Sequence, residues 1–195
     1  MSLEETSLLY AHHLFLKLDS YFLAPDTSVR ITVLNGTFTS SEAALVADRI
    51  TERYSKHVKA VFQVGASRSS AFATSLGYPA EIVPLQNPYS LSVGSELSVR
   101  CLVDGRPVAN QAVIAGGVHQ GATIEERMVR TDQYGVARIT LDSPGKWYVK
   151  FVNMVEVAHD GLDYESKWAT LTFEIRWVSG GAPRSAAAVL LISAD

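Results

Sequence analysis

The strongest pattern along the chain is alternation of apolar and polar side chains, the period-two signature of half-buried strands. It is most regular in the second half. Leu97, Val99, Cys101 and Val103 alternate with Glu96, Ser98, Arg100 and Leu102. Ala137, Ile139 and Leu141 alternate with Arg138 and Thr140, and Trp147, Val149 and Phe151 alternate with Tyr148 and Lys150. Ala169, Leu171, Phe173 and Ile175 close the series, and shorter strands are expected over 112–115 and 128–131. Turn chemistry separates these runs at Asp104-Gly105, at Asp132-Gln133-Tyr134-Gly135 and at Pro144-Gly145. Many short strands punctuated in this way predict an antiparallel β-sandwich. Trp147 and Phe173 belong in its core, because each buries roughly 150–250 Å².

The first half is less regular. Leu14, Leu16 and Leu18 alternate with His13, Phe15, Lys17 and Asp19, which predicts a half-buried strand, and Val29, Ile31 and Val33 predict a second before the Asn35-Gly36 turn. Thr39-Ser40-Ser41-Glu42 reads as a capping box. Ala43, Val46, Ala47 and Ile50 then share one helical face, with Tyr54 extending it. Val58, Ala60, Phe62 and Val64 return to strand, and 65–80 reads as a connection. The expected organisation is a leader remnant or non-native extension over 1–10, an N-terminal β-rich portion over 11–75, a sandwich over 76–177 and a flexible tail over 178–195. The fold class is all-β, with an immunoglobulin-like or transthyretin-like sandwich.

Composition narrows the function. Hydrophobic residues make up 47% of 195 residues, a globular balance. The net charge of −3, without a run of Lys or Arg, provides no electrostatic footprint for nucleic acid. The lone cysteine, Cys101, can form neither an intramolecular disulfide nor a Cys-based zinc site, and its place among apolar strand residues predicts a buried, inert thiol. Catalytic motifs such as Gly-x-Ser-x-Gly, His-Glu-x-x-His or a phosphate loop do not occur, so the expectation is a binding protein rather than an enzyme. The apolar run 186–192 is far below the roughly 20 residues of a spanning helix.

Two sets of residues suggest ion binding. Asp160, Asp163 and Glu165 are close in sequence, but their spacing matches no EF-hand loop and Lys167 follows, which favours a solvated acidic loop. His12-His13 is the second set. Adjacent strand residues point to opposite faces, so the two rings would not ordinarily share an ion. If processing placed His12 at the N-terminus, however, its amine and ring nitrogen would form a compact chelate suited to nickel or copper. His57, His119 and His159 are the candidate third ligands.

Ala11-His12-His13-Leu14, Gly77-Tyr78-Pro79, Gly145-Lys146-Trp147 and Trp168-Ala169-Thr170-Leu171-Thr172-Phe173 together resemble a large bacterial family of periplasmic, nickel-uptake-transporter-like proteins of largely unknown function. Ala11-His12-His13-Leu14-Phe15-Leu16-Lys17 resembles its Ala-His-Asp/Glu-x-x-Leu start, with His13 in place of the acidic residue. The run from Leu76-Gly77-Tyr78-Pro79 to Asn87-Pro88-Tyr89 is similar to its central signature. So are Val103-Asp104-Gly105-Arg106-Pro107-Val108-Ala109, Thr131-Asp132-Gln133-Tyr134-Gly135 and Gly145-Lys146-Trp147-Tyr148-Val149. Tyr164 through Trp168-Ala169-Thr170-Leu171-Thr172-Phe173 resembles the closing strand, and the chain is short near 49–54 by comparison. The resemblance implies export to the periplasm and a role in nickel or cobalt uptake beside a membrane transporter. The suspected ligands are His12, His13 and His57. The alternative expectation is a non-catalytic sandwich that binds a cell-envelope protein or a carbohydrate.

Overall fold

The structure, a computed structural model, describes residues 13–40, 52–159, 161–177 and 186–194, with backbone alone at 158–159 and 186–194. Strands dominate it, and the only helical pieces among the described residues are single 3₁₀ turns at Ala71–Ala73 and Pro88–Ser90. Three sheets are present among the described residues. One joins β1 (His13–Leu18) to β3 (Ile31–Gly36). A four-stranded sheet runs β10-β6-β5, from β5 (Ala80–Pro84), β6 (Glu96–Val103) and β10 (Val136–Thr140), with β7 (Arg106–Pro107) on β6. The third contains β2 (Phe22–Leu23), β4 (Glu52–Val64), β8 (Ala112–His119), β9 (Ala122–Arg130), β11 (Gly145–His159), β12 (Leu162–Ile175) and β13 (Ala186–Ala194). Its order is β13-β4-β12-β11-β8-β9, with β2 pairing on β4.

The sandwich core lies between the last two sheets. Leu97, Val99, Ile139, Trp147, Val149, Leu171 and Phe173 all fall in one buried cluster, as their alternation predicts. Cys101 is in the same cluster, and burial pushes its thiol pKa up, which leaves little reactive thiolate. The turn between β6 and β7 has positive φ at Asp104 (49°) and at Gly105 (74°), the backbone of a two-residue hairpin.

The N-terminal half forms one sheet of its own, β1–β3, but its longest strand, β4, lies outside it. β4 lies parallel to β12, from Glu52 opposite Tyr164 to Ala60 opposite Thr172, inside the same sheet as the sandwich strands. The sheet is therefore mixed rather than purely antiparallel. The proposed boundary at 75/76 does not separate one sheet from the other. The tail expected to be flexible from 178 contains β13, which pairs antiparallel with β4 from Ala186 opposite Val64 to Ala194 opposite Lys56. A short Ala-rich run lacks the alternation that marks a half-buried strand, so its pairing was not visible in the pattern. The helix expected from Thr39 onward falls mostly on 41–51, outside the described residues, while Tyr54, its proposed extension, is in β4.

The β1–β3 pair makes a third layer on the far face of the seven-stranded sheet. Leu14, Leu16, Leu18 and Tyr21 pack against Val58 and Ala60. On the other side of β1, Phe15 joins Leu34, Phe38 and Tyr148. The strand expected to be half-buried is thus covered on both sides. The reason is its seating: the Leu16 carbonyl accepts hydrogen bonds from the Thr172 hydroxyl at 2.7 Å and the Tyr21 hydroxyl at 2.9 Å. The backbone of β1 faces the sheet, and its two rows of side chains flank that contact.

The buried charges inside the sandwich are paired, although the Gln63 side-chain oxygen is not. Lys59 Nζ lies 2.6 Å from Glu81 Oε1, and both side chains are buried. Glu81 also accepts hydrogen bonds from the Ser75 hydroxyl at 2.8 Å, the Leu76 N–H at 2.9 Å and the Gly77 N–H at 3.3 Å. Burial lowers the Lys59 pKa, and its contact with Glu81 opposes that shift. One carboxylate thus ties β4 to β5 and fixes the Ser75–Gly77 loop.

Two stability experiments follow. Trp147→Ala should cost about 3–5 kcal/mol in denaturant unfolding, as truncation of a fully packed aromatic does; a cost under about 1 kcal/mol would contradict the core assignment. Glu81→Ala should cost about 3–5 kcal/mol, because it strands a buried ammonium. The double replacement Lys59→Met with Glu81→Leu should recover much of that loss, and strictly additive single costs would show that the two groups do not act as a pair.

Candidate functional site

Alternation along β4 and β12 sorts the histidines. Trp168 pairs with Lys56 and Ala169 with His57. Neighbouring strand residues point to opposite faces. Ala169 belongs to the sandwich core, so His57 lies on that side. There it is buried, with Nε2 3.0 Å from the Ser55 hydroxyl and the ring stacked on Tyr78 at 5.3 Å. His13, by contrast, packs against Trp168 at 4.8 Å on the outer face. The sheet separates His13 from His57, so the expected joint ligation by those two residues is not available in this arrangement. His119, at the end of β8, borders a cleft elsewhere. His12 and the side chain of His159 lie outside the described residues. Among the described residues, no three His, Cys, Asp or Glu side chains are grouped to hold a metal ion. Glu165, one of the three acidic loop residues, pairs with Arg53 at 3.3 Å.

His13 is the most unusual group on the outer face. Its exposure is 1%, and neither Nδ1 nor Nε2 has a hydrogen-bond partner. An unpartnered buried polar group ordinarily costs about 1–3 kcal/mol. Burial holds its pKa well below the usual histidine value, and the nearby Lys150 and Lys56 ammonium groups lower it further. The ring is therefore neutral at pH 7. Its walls are aromatic: Phe15 lies 6.1 Å away, and Lys56 sits 4.9 Å from the Trp168 ring centroid on the same face.

A second polar cluster adjoins this pocket. Lys150 Nζ is 2.8 Å from Glu126 Oε1, and the Tyr148 hydroxyl donates to the same oxygen at 2.5 Å. Burial pushes Glu126 up, but the hydrogen bonds from Lys150 and Tyr148 outweigh it and hold the carboxyl below its usual range. Burial, with Glu126 beside it, raises the Tyr148 pKa. A β-bulge aims Glu126 here: Arg127 pairs with Ala115 but Ile124 with Gly117, so Glu125 and Glu126 together oppose Gly116. Gly116 leaves room for the cluster, since a Cβ there would stand 2.8 Å from the Tyr148 hydroxyl.

Sequence reasoning missed Lys56, Lys150 and Trp168 as neighbours of His13, and Glu126 as the partner of Lys150. Lys150 reads as solvent-facing because it alternates with Val149 and Phe151. Only the layer formed by β1 and β3 makes that face an interior.

The neutral imidazole has the protonation state a metal ligand requires. Its two unpartnered nitrogens are unused donor capacity, which fits a role in ligation. The flanking ammonium groups oppose a cation, although Glu126 offsets Lys150.

The depressed pKa sets a pH dependence. The folded state binds fewer protons at His13 than the unfolded chain, whose histidine titrates near 6.5. Stability from this residue is full above about pH 6.5. It is lost as pH falls from there toward the folded value, by up to about 1.4 kcal/mol per pH unit. Urea unfolding of the metal-free protein between about pH 7.5 and 5.5 should show this slope, and His13→Phe should remove it. Parallel pH profiles for the two proteins would refute the assignment.

Among known families, the one described as Domain of unknown function (DUF4198) matches residues 31–154. The matched span takes in the Leu76–Tyr89, Val103–Ala109, Thr131–Gly135 and Gly145–Val149 stretches, and leaves out the Ala11–Lys17 start and the Tyr164–Phe173 ending. No curated protein matches the chain, and no solved structure does. With more than half of its length matched, the chain belongs to the DUF4198 family of unknown function.

Proposed function

We propose that this protein is an exported, non-catalytic binding protein that takes a transition-metal ion, nickel or cobalt, at the His12-His13 segment and assists its uptake by a membrane transporter. The observation that carries the reading is His13, a buried, neutral imidazole with both ring nitrogens unpartnered, directly after His12 in the chain. Such a ring is a ready donor for a late divalent ion. If the mature chain begins at His12, that residue adds its amine and ring nitrogen as a compact chelate. His57 has no part in this site, because the sheet lies between it and His13. Among the described residues, no helix is long and apolar enough to cross a membrane.

A second reading is favoured by the scatter of the described histidines. His13, His57 and His119 occupy three separate places, as expected of a sandwich that binds an envelope protein or carbohydrate and uses its histidines structurally.

Calorimetric titration with Ni²⁺ and Co²⁺ separates the readings. The chain starting at His12 should bind most tightly, the chain starting at Met1 more weakly, and His12→Ala or His13→Phe should each weaken binding by about tenfold or more, since each removes a nitrogen donor. Affinity should fall at acid pH as the ligand imidazoles protonate, His13 only well below about 6.5. Equal affinity in all four proteins would reject the metal site and leave the second reading.

A further inference from the structure

We infer that the open cleft at the end of the β8–β9 hairpin binds a neutral carbohydrate, with Trp177 as its stacking plate. The cleft has a volume of about 420 Å³, within the ~300–1,000 Å³ usual for small-molecule sites. Trp147 and Trp168 are buried, whereas Trp177 is 68% exposed and borders the cleft. A large aromatic left in water beside a concave polar surface is a marker of recognition rather than of folding.

The walls are pre-formed. Arg127 of β9 is ion-paired with Asp142 of the turn between β10 and β11. The Ser143 carbonyl accepts a hydrogen bond from Trp147 Nε1 at 3.0 Å, which anchors that turn to the core. Gly145 packs so closely that a Cβ there would lie 2.5 Å from the Val118 carbonyl oxygen. A site whose walls do not have to be ordered on binding loses less entropy.

The chemistry of the lining selects the ligand class. The Thr123 and Ser143 hydroxyls, the His119 ring and the Glu125 carboxylate border the cleft with no side-chain hydrogen bond or ion pair among the described residues. They offer donors and acceptors together, as a polyhydroxylated ligand needs. Arg127 and Asp142 cancel each other, which leaves the single negative charge of Glu125 in the lining and disfavours an anionic ligand. A sugar ring combines hydroxyls at its edge with an apolar C–H face that can lie on an indole. The site is distinct from the His12-His13 segment.

The test uses the whole chain and three neutral probes, maltotriose, cellotriose and chitotriose. Because two of the three tryptophans are buried, emission from Trp177 reports occupancy. At least one probe should give a saturable change in emission and a matching calorimetric isotherm. Trp177→Ala should abolish the emission change and weaken calorimetric affinity by about tenfold or more, as loss of an aromatic anchor does, while Trp177→Phe keeps part of it. Glu125→Ala should also weaken binding. Thermal unfolding should be unchanged in these variants because the side chains are exposed, and His13→Phe should bind sugar as the parent does, which keeps this result separate from the metal titration. No saturable response to any of the three sugars, or undiminished affinity in Trp177→Ala, would overturn the proposal.

Discussion

The middle strands of the seven-stranded sheet, β4, β12 and β11, are covered on both faces, and the rest of the structure follows from that constraint. Water cannot reach the middle of such a sheet, so each polar side chain on it has to find a partner within the protein or remain unsatisfied at a cost. On the sandwich side, Lys59 meets Glu81, and Glu81 is held in turn by three further donors. On the outer side, Thr172 donates to the Leu16 carbonyl and Lys150 meets Glu126. The first of these contacts seats β1 on the sheet. Without β1, the aromatic group of Phe15, Phe38 and Tyr148 would lose its closing member.

His13 departs from this rule. It occupies the same dry layer, yet its ring nitrogens are unmatched, and the ammonium groups nearest to it discourage protonation. Buried polar atoms without partners are uncommon in folded proteins, and where they occur they often mark a place where something else binds. The metal reading rests on that argument. The cleft at Trp177 rests on a different one, an aromatic surface kept in water beside unengaged polar groups. The two sites share no residue, so one can hold where the other fails.

The strands of the sandwich were readable from the chain because one face of each meets the core and the other meets water or polar partners. Alternation alone assigns Leu97, Val99, Ile139, Trp147, Leu171 and Phe173 to a common core, and they form one. The turns at Asp104-Gly105 and Asp132–Gly135 were legible for a similar local reason. Asp132 accepts hydrogen bonds from the Tyr134 and Val136 N–H groups, and Gly135 takes the positive φ of 72° that the turn needs. The beginning of β9 was not legible, because its bulge breaks the period between Ile124 and Arg127.

The sequence by itself determined the all-β class, the sandwich core, its tight turns and the inert setting of Cys101. Those depend on the spacing of apolar residues and on backbone preferences a few residues long. The tertiary structure decided which faces are interior. It laid β4 parallel to β12, brought β13 onto the same sheet and placed β1 over its outer face. Those choices put His13 beside Trp168 and two lysines, and His57 on the other side of the sheet. Pairings between strands more than 100 residues apart leave no trace in local periodicity, because period two records that a face is buried and not what buries it.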